Sequence, residues 1–303
     1  HIRLLKTLQT SACERNCYYC PFRAGRDFRR TTLSPDEMAQ AFMGLQRAGI
    51  AEGLFLSSGI AGNSIRTQDK ILATAEILRK KMGFSGYIHL KLMPGAEYAQ
   101  VYQAMRLADR VSLNLEAPNT KRLAMLAPRK IFFDELIQPL QFVEKIRQEK
   151  PAILGWNRRW PSVTTQFVVG AVGESDFELL NTTQTLNRDV QLKRAYFSGF
   201  RPSSDTPFED RPGASPMREQ RLYQASFLLR DYGFTLEELP FDVQGILPEK
   251  RDPKTAWAQA NLSEKPIEIN QAELHELLRI PGIGLRSARA ILDGRKKGKI
   301  NYA

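Results

Sequence analysis

Three cysteines, the only three in 303 residues, fall within eight positions: Cys13-Glu14-Arg15-Asn16-Cys17-Tyr18-Tyr19-Cys20. Thiolates are soft ligands, and three gathered in one segment are suited to a metal centre. Buried structural cysteines are the plainest alternative, yet such residues are not expected to gather in this way. A structural zinc takes four ligands, commonly Cys or His. The histidines are His1, His89 and His275, and none is close to the cysteines in the sequence. An iron–sulfur cluster is the remaining chemistry. Four irons held by three thiolates leave one iron open to a small chelating molecule, through an amine and a carboxylate.

Such a loop needs a scaffold, and the composition allows one. Lys and Arg number 44 against 33 Asp and Glu, a formal charge of +11, with 42% hydrophobic residues. That is the make-up of a folded chain rather than a disordered one. Three cysteines exclude a disulfide framework, and no apolar run approaches the ~18 residues of a membrane span. The length fits two domains at roughly 150 residues each, although one α/β barrel can use about 250. The chain opens on His1 and closes soon after a basic run, Lys296 to Lys299, so both ends read as trimmed.

Strand-like and helix-like segments alternate. Strands are expected at Ile2–Leu8, Gly53–Leu56, Tyr87–Leu92, Val111–Leu115, Thr164–Val169 and Val190–Phe197, with Gly, Ser or Pro within the next three residues. Ser34-Pro35-Asp36-Glu37 opens a helix with an N-cap Ser, Pro at the first position and acids at the positive dipole end. Its apolar face is Met38, Phe42 and Leu45, and Gly49 ends it. Further helices fit Gln68–Met82, Glu97–Ala108, Phe133–Arg147, Glu174–Leu186 and Met217–Tyr232. Six β/α units in series imply an α/β fold with a parallel sheet, too few for a closed eight-stranded barrel. The functional end is then the carboxyl end of the strands, where the cysteine loop follows the first strand.

C-x3-C-x2-C after the first strand, with the aromatic Tyr19 before the last cysteine, resembles the radical S-adenosylmethionine (SAM) superfamily over roughly residues 1–235. The resemblance implies a partial (β/α)6 TIM-like barrel, a 4Fe–4S cluster on Cys13, Cys17 and Cys20, and SAM chelated to the fourth iron. One electron would then break a carbon–sulfur bond, releasing methionine and a 5′-deoxyadenosyl radical that abstracts hydrogen from a substrate. The resemblance also implies SAM contacts, Tyr19 of the motif among them. Ser57-Ser58-Gly59 stands where the family has a Gly-Gly-Glu-like turn, so the Glu is missing. Asn114 and Glu116 match the ribose and amino-group region. The fifth strand contributes Gln166 and the run from Val168 through Gly170 to Glu174, and Ser198 ends the sixth. Arg129 or Lys130, after Pro128, would be solvated charges or would neutralise the SAM carboxylate.

If all three cysteines bind the cluster, no thiol remains for a second cluster, a methyl-carrying cysteine or a thiol hydrogen donor. That disfavours tRNA methylthiolation, cysteine-dependent RNA methylation and thymine-dimer lyase chemistry. Tyr18, Tyr98 or Tyr196 would be the remaining hydrogen donors.

The charge is local. Arg23, Arg26, Arg29 and Arg30 follow the cluster loop with Phe22 and Phe28 among them, and Arg158 and Arg159 lie between Trp156 and Trp160. Guanidinium and aromatic planes together suit phosphates and unstacked bases, and solvated loops are the alternative. Residues 240–266, punctuated by Pro240, Pro248, Pro253 and Pro266, read as a linker packed on the barrel of residues 1–239. In residues 267–303, Ile280-Pro281-Gly282-Ile283-Gly284 followed by Ser287, Ala288 and Ile291 resembles a helix-hairpin-helix DNA-binding motif. From Gly282 to Ala303, Arg286, Arg289, Arg295, Lys296, Lys297 and Lys299 stand against the single acid Asp293. Gly282 and Gly284 permit the tight turn, and the following helix, with Arg286, Ser287 and Arg289, presents N–H groups to a phosphate.

A radical SAM barrel followed by such a hairpin, here cut short, resembles DNA modification/repair radical SAM proteins. The expectation is a cytoplasmic, monomeric enzyme acting on DNA, with no membrane partner and with flavodoxin or ferredoxin as electron donor. RNA, in particular tRNA, is the alternative substrate, and a non-catalytic redox sensor that binds nucleic acid is the alternative class.

Overall fold

A computed structural model describes residues 2–300. His1 and the last three residues of the expected hairpin segment, 301–303, lie outside the described residues. The chain divides into two compact units, His1–Glu174 with Thr185–Gly213, and Ser175–Gln184 with Ala214–Ala303.

In the first unit six strands form one sheet in the order of the sequence, every neighbouring pair parallel. They are β1 (Leu4–Leu8), β2 (Gly53–Ser57), β3 (Tyr87–Lys91), β4 (Arg110–Ser112), β5 (Ser162–Val169) and β6 (Arg194–Gly199). Sequential order without a reversal curls the sheet into a half-barrel, with one lumen at the concave face. Helices α1 (Pro35–Arg47), α2 (Ser64–Glu76), α3 (Tyr98–Leu107), α4 (Thr120–Leu126) and α5 (Gln138–Glu149) connect the first five strands, and α6 (Asp176–Val190) joins β5 to β6.

The period-two pattern explains which face is which. Leu54 and Leu56, Ile88 and Leu90, Val111, Val163 and Phe167 alternate along their strands and are fully buried. Residues between them are Phe55, His89, Lys91, Ser112, Thr164 and Gln166, so the lumen is polar where the outer layer is apolar. Met38, Phe42, Ile71, Val101, Ala104, Leu140 and Val143 are the buried residues of the surrounding helices. Burying one such side chain is worth about 1.5–3 kcal/mol, and truncating Phe42 to Ala would cost about 3–5 kcal/mol.

The α1 start follows its expected chemistry. Ser34 Oγ accepts from Glu37 N at 3.2 Å and the Glu37 carboxylate from Ser34 N at 2.7 Å, closing a capping box with Pro35 at the first position. Two expected helices begin or end differently. The segment expected over 68–82 starts at Ser64, capped by Asn63, and ends in a widened turn, Ile77–Lys81. α5 is preceded by a similar turn, Phe132–Ile137. α4 was not expected from the pattern: it is seven residues long, and Asn119 Oδ1 caps it from Arg122 N at 3.0 Å.

The second unit contains α7 (Pro216–Asp231), α8 (Pro253–Asn261), α9 (Leu274–Leu277) and α10 (Leu285–Arg295). Residues 240–266 are therefore not a bare linker. Asp252 caps α8 and Pro253 takes its first position, so the Asp-Pro pair that reads as punctuation is a helix start. Asp176 accepts from Arg218 Nε at 2.7 Å and Leu247 N at 2.9 Å, and Arg221 donates to the Glu249 carbonyl at 2.8 Å. These bonds tie α7 to residues 247–249 inside this unit.

Candidate active site

The cysteine loop leaves β1 at the carboxyl edge of the sheet and is held by backbone bonds on both sides. Glu14 N donates to the Ile60 carbonyl at 2.8 Å and Tyr18 N to the Leu126 carbonyl at 2.9 Å. Arg15 donates to both carboxylate oxygens of Glu135 and to the Arg129 carbonyl. Arg129 Nη1 returns a bond to the Glu14 carbonyl at 3.3 Å. Gly59 lies so close that a Cβ on it would sit 2.2 Å from the Ala12 carbonyl oxygen. Only glycine fits there, which accounts for its place after Ser57-Ser58.

Cys13, Cys17 and Cys20 all line a cavity of about 450 Å³ at the mouth of the half-barrel. Two of the sulfurs accept backbone N–H bonds: Cys13 Sγ from Ile60 at 3.5 Å and Cys20 Sγ from Phe22 at 3.4 Å. Burial pushes the Cys20 thiol up to about 12 and raises Cys17 as well, with Lys130 opposing at Cys17. Thiols so placed bind as thiolates only when a cation compensates the buried charge. Among the described residues no three His, Cys, Asp or Glu side chains come close enough to share one metal ion. Three thiols around one cavity, with N–H donors aimed at sulfur, fit a cluster of several irons and not a single zinc.

Beside the cysteines is a buried charged knot. Glu116 has a left-handed backbone, φ +65°, and its N–H and C=O bond to Gln166 O at 3.0 Å and Val168 N at 2.8 Å. Its carboxylate accepts from Lys130 Nζ at 3.0 Å and contacts Asn114 Nδ2 at 3.5 Å. Burial works to raise the Glu116 carboxyl, but Lys130 and Lys91 outweigh it and the net direction is down. Burial alone would lower Lys130, and Glu116 reverses that to a rise. Tyr19, raised by its burial and then by Glu116, is a neutral phenol hydrogen-bonded to that carboxylate. Lys130 is thus not a solvated charge: its side chain is 9% exposed. Arg129 is exposed, as expected.

Of the residues matched to SAM contacts, Tyr19, Ser57, Ser58, Gly59, Asn114, Glu116 and Gln166 line this same cavity. Ser58 Oγ is buried there without a hydrogen-bond partner among the described residues, a polar group available to a ligand. Gly170, at φ +86°, and Ser198 end β5 and β6 outside the lining residues, and the Gly170 N–H bonds to the Glu174 carboxylate. Lys6, Arg15 and Lys91 line the cavity without having been singled out in the sequence. The alternation Tyr87-Ile88-His89-Leu90-Lys91 carried the signal: every second residue is polar, which marks a polar inward face.

The arginines separate by role. Arg30 donates to the carbonyls of Ser11, Phe22, Arg23 and Arg26 and lies 3.8 Å over the Phe28 ring, so it staples the cluster loop. Arg26 bonds Asp205 at 3.2 Å, and Arg23 lies over Tyr18. Arg29 is exposed. Arg158 and Arg159 precede β5, at the sheet edge opposite the cysteines, and Arg159 approaches Asp109 at 3.9 Å. They do not belong to the mouth. Trp156 there is stacked on Arg79, whose guanidinium bonds Leu107, Phe84 and Gly86 carbonyls and Asp109. Tyr98 bonds Glu149 at 2.8 Å in the helix layer and Tyr196 lies on β6 near Arg110, and neither lines the cavity.

A family profile described as the radical SAM superfamily matches residues 8–183. No curated protein matches. Among solved structures, the FeFe-hydrogenase maturase HydG from Carboxydothermus hydrogenoformans is similar at 14% identity and a TM-score of 0.55, covering 75% of this chain and 51% of that one. Methylornithine synthase (PylB) is similar at 14% identity and a TM-score of 0.57, over 96% and 86% of the two chains. A radical SAM methyltransferase from Sphaerobacter thermophilus is similar at 17% identity and a TM-score of 0.54, over 74% and 62%. The chain spans about half the length of the hydrogenase maturases it matches.

Proposed function

Because the chain belongs to the radical SAM superfamily, whose enzymes use a 4Fe–4S cluster and SAM, we propose that this enzyme directs its radical at DNA. When bound, the two groups would supply a one-electron cleavage of SAM, the source of a radical able to take a hydrogen atom from the substrate. A flavodoxin- or ferredoxin-like protein provides the electron. Cys13, Cys17 and Cys20 hold the cluster, Arg15 and Arg30 fix their loop, and Ser58, Asn114 and Gln166 offer polar contacts to SAM. Glu116, kept ionised by Lys130, is placed to meet a cationic amine.

The observation that supports DNA is the entry to α10. Gly282 turns the chain at φ +81°, and Gly284 begins the helix with no side-chain cap, leaving its first N–H groups open to an anion. Arg286, Ser287 and Arg289 around that start are exposed. Such contacts hold a phosphate backbone without reading sequence. Ala272, Leu277, Leu278 and Ala288 form the small core that fixes α9 against α10. Arg295 is not part of the anion surface, since it donates to the Ile269 and Ala272 carbonyls, and Lys296 pairs with Asp293. Base chemistry would act on single strands or an extruded nucleotide. Among the described residues no helix is long and apolar enough to cross a membrane.

The test is anaerobic incubation with dithionite, SAM and, in parallel, duplex DNA, single-stranded DNA or tRNA. DNA-stimulated release of 5′-deoxyadenosine with a changed deoxynucleoside is the expected result. Stimulation by tRNA alone would assign the enzyme to RNA, and no 5′-deoxyadenosine under any condition would leave a redox sensor.

A further inference from the structure

The lumen below the cysteines holds two lysines, Lys6 and Lys91, that make no ion pair with a carboxylate among the described residues. Register places Lys6 of β1 beside Phe55 of β2, and Phe55 beside His89 of β3. Lys91 is two residues further along β3 on the same face. The Phe55 and His89 rings stack in parallel at 4.0 Å and 5°, and Lys6 Nζ is 5.6 Å from the Phe55 centroid. Lys6 and Lys91 thus flank an aromatic floor, and both line the cavity that holds the cysteines. Lys91 donates to Asn114 Oδ1, a neutral acceptor.

The other two cations lining this cavity are already satisfied. Arg15 is bonded to Glu135 and Lys130 to Glu116. Among the described residues neither Lys6 nor Lys91 is paired with an acid, and Glu116 is the only acidic residue on the cavity wall. We propose that Lys6 and Lys91 form an anion site that receives a phosphate group of the substrate.

Phosphate fits the donor chemistry better than carboxylate. Two compact ammonium groups reach from strands separated by β2, and a tetrahedral anion offers oxygens to donors on both sides. A planar carboxylate is matched by a guanidinium fork, and the one arginine on the wall, Arg15, is already engaged by Glu135. Burial, partly offset by Glu116 and reinforced by Lys130 and Lys6, brings the Lys91 ammonium down to about 7. An incoming anion relieves that repulsion. The His89 ring stacked on Phe55 is uncharged, since burial holds its imidazole down at about 3, so it adds no competing cation beside the site. The assignment rests on this cavity being the place where the radical forms. It does not require the phosphate to belong to DNA.

The test is calorimetry on the cluster-loaded full chain with SAM bound, titrated separately with 2′-deoxyadenosine, its 5′-monophosphate and a phosphodiester-linked dinucleotide lacking a terminal phosphate. The site predicts about tenfold or tighter binding of at least one phosphate-bearing ligand over the nucleoside. Preference for the monophosphate would identify a terminal phosphate, and preference for the dinucleotide a strand backbone. K6Q and K91Q should each lose most of that preference, K91R should keep part of it, and the SAM affinity of K6Q, whose lysine does not touch Asn114, should not move. Lys6 is exposed, so K6Q keeps the test open if K91Q folds poorly. Equal binding of nucleoside and phosphate ligands would overturn the proposal. So would a parallel loss of SAM affinity in K6Q, which would place Lys6 in the SAM site. Absence of SAM binding by the unsubstituted chain would instead refute the radical reading itself.

Discussion

Lys130 Nζ lies 3.0 Å from Glu116 Oε1, and both side chains are more than nine-tenths buried beside the cysteine loop. The pair joins the β4 end to the segment that follows α4. Its carboxylate also reaches Tyr19 of the loop and, through Asn114, Lys91. Buried charge therefore joins the backbone bonds of Glu14 and Tyr18 in aligning the cysteines with the sheet.

Removing one partner should cost far more than the pair contributes. Lys130→Met leaves a buried carboxylate uncompensated, and a loss of about 3–5 kcal/mol is expected in urea unfolding. The double variant Lys130→Met with Glu116→Leu should recover a large part of that loss. Equal destabilisation by the single and double variants would show that the pair is not acting as a unit.

A pH dependence follows from His89, buried at 7% exposure with Nε2 2.8 Å from Ser112 Oγ. Burial, then the neighbouring Lys91, pulls its imidazole down from 6.5 to about 3. The unfolded chain therefore binds a proton between these values that the folded chain does not. Stability is full above about pH 6.5 and falls as the pH drops through it, by up to ~1.4 kcal/mol per unit. Unfolding of the metal-free chain from pH 7 to pH 5 should show this slope, and His89→Gln should flatten it. An unchanged slope in the variant would mean that His89 titrates normally.

Much of this arrangement is legible in one dimension because it is local. Cysteine spacing, the Ser34–Glu37 cap and six alternating apolar runs each lie within a few residues, so the loop, α1 and the strand order can be read directly. What escapes is set by register. Lys130 looks like a surface charge after Pro128, and only the approach of the β4 end buries it against Glu116. Arg158 and Arg159 resemble a nucleic-acid patch because two tryptophans flank them, yet they come before β5 and so fall on the wrong edge. Arg30 has the same residue type as Arg29, but four backbone carbonyls converge on it while its neighbour is exposed. α8 hid behind proline, which starts helices as well as interrupting them.

Gly59→Ala should disable the site without touching a ligand. Its Cβ would fall 2.2 Å from the Ala12 carbonyl, and backbone rather than a flexible side chain must move. The displaced residues lead directly into Cys13. A stability loss of about 1–3 kcal/mol and reduced iron per chain after anaerobic reconstitution are expected. Gly62→Ala, at a positive φ but with open space around it, is the control for backbone strain alone. Full iron loading in Gly59→Ala would show that the loop tolerates the shift.

Arg286 and Arg289 lie on the exposed start of α10, whereas Arg295 is bonded inward to the Ile269 and Ala272 carbonyls. The two groups should behave differently toward DNA. Arg286→Gln with Arg289→Gln should weaken duplex binding about equally for unrelated sequences. It should also reduce the slope of log affinity against log salt by roughly 2, one for each lost phosphate contact. Arg295→Gln should leave that slope alone and instead lower stability, because two carbonyls lose a charged donor. Fluorescence anisotropy with a labelled duplex across a salt series measures the first, and thermal unfolding the second. A salt slope unaffected by the Arg286/Arg289 double variant would remove the α10 start from the DNA interface.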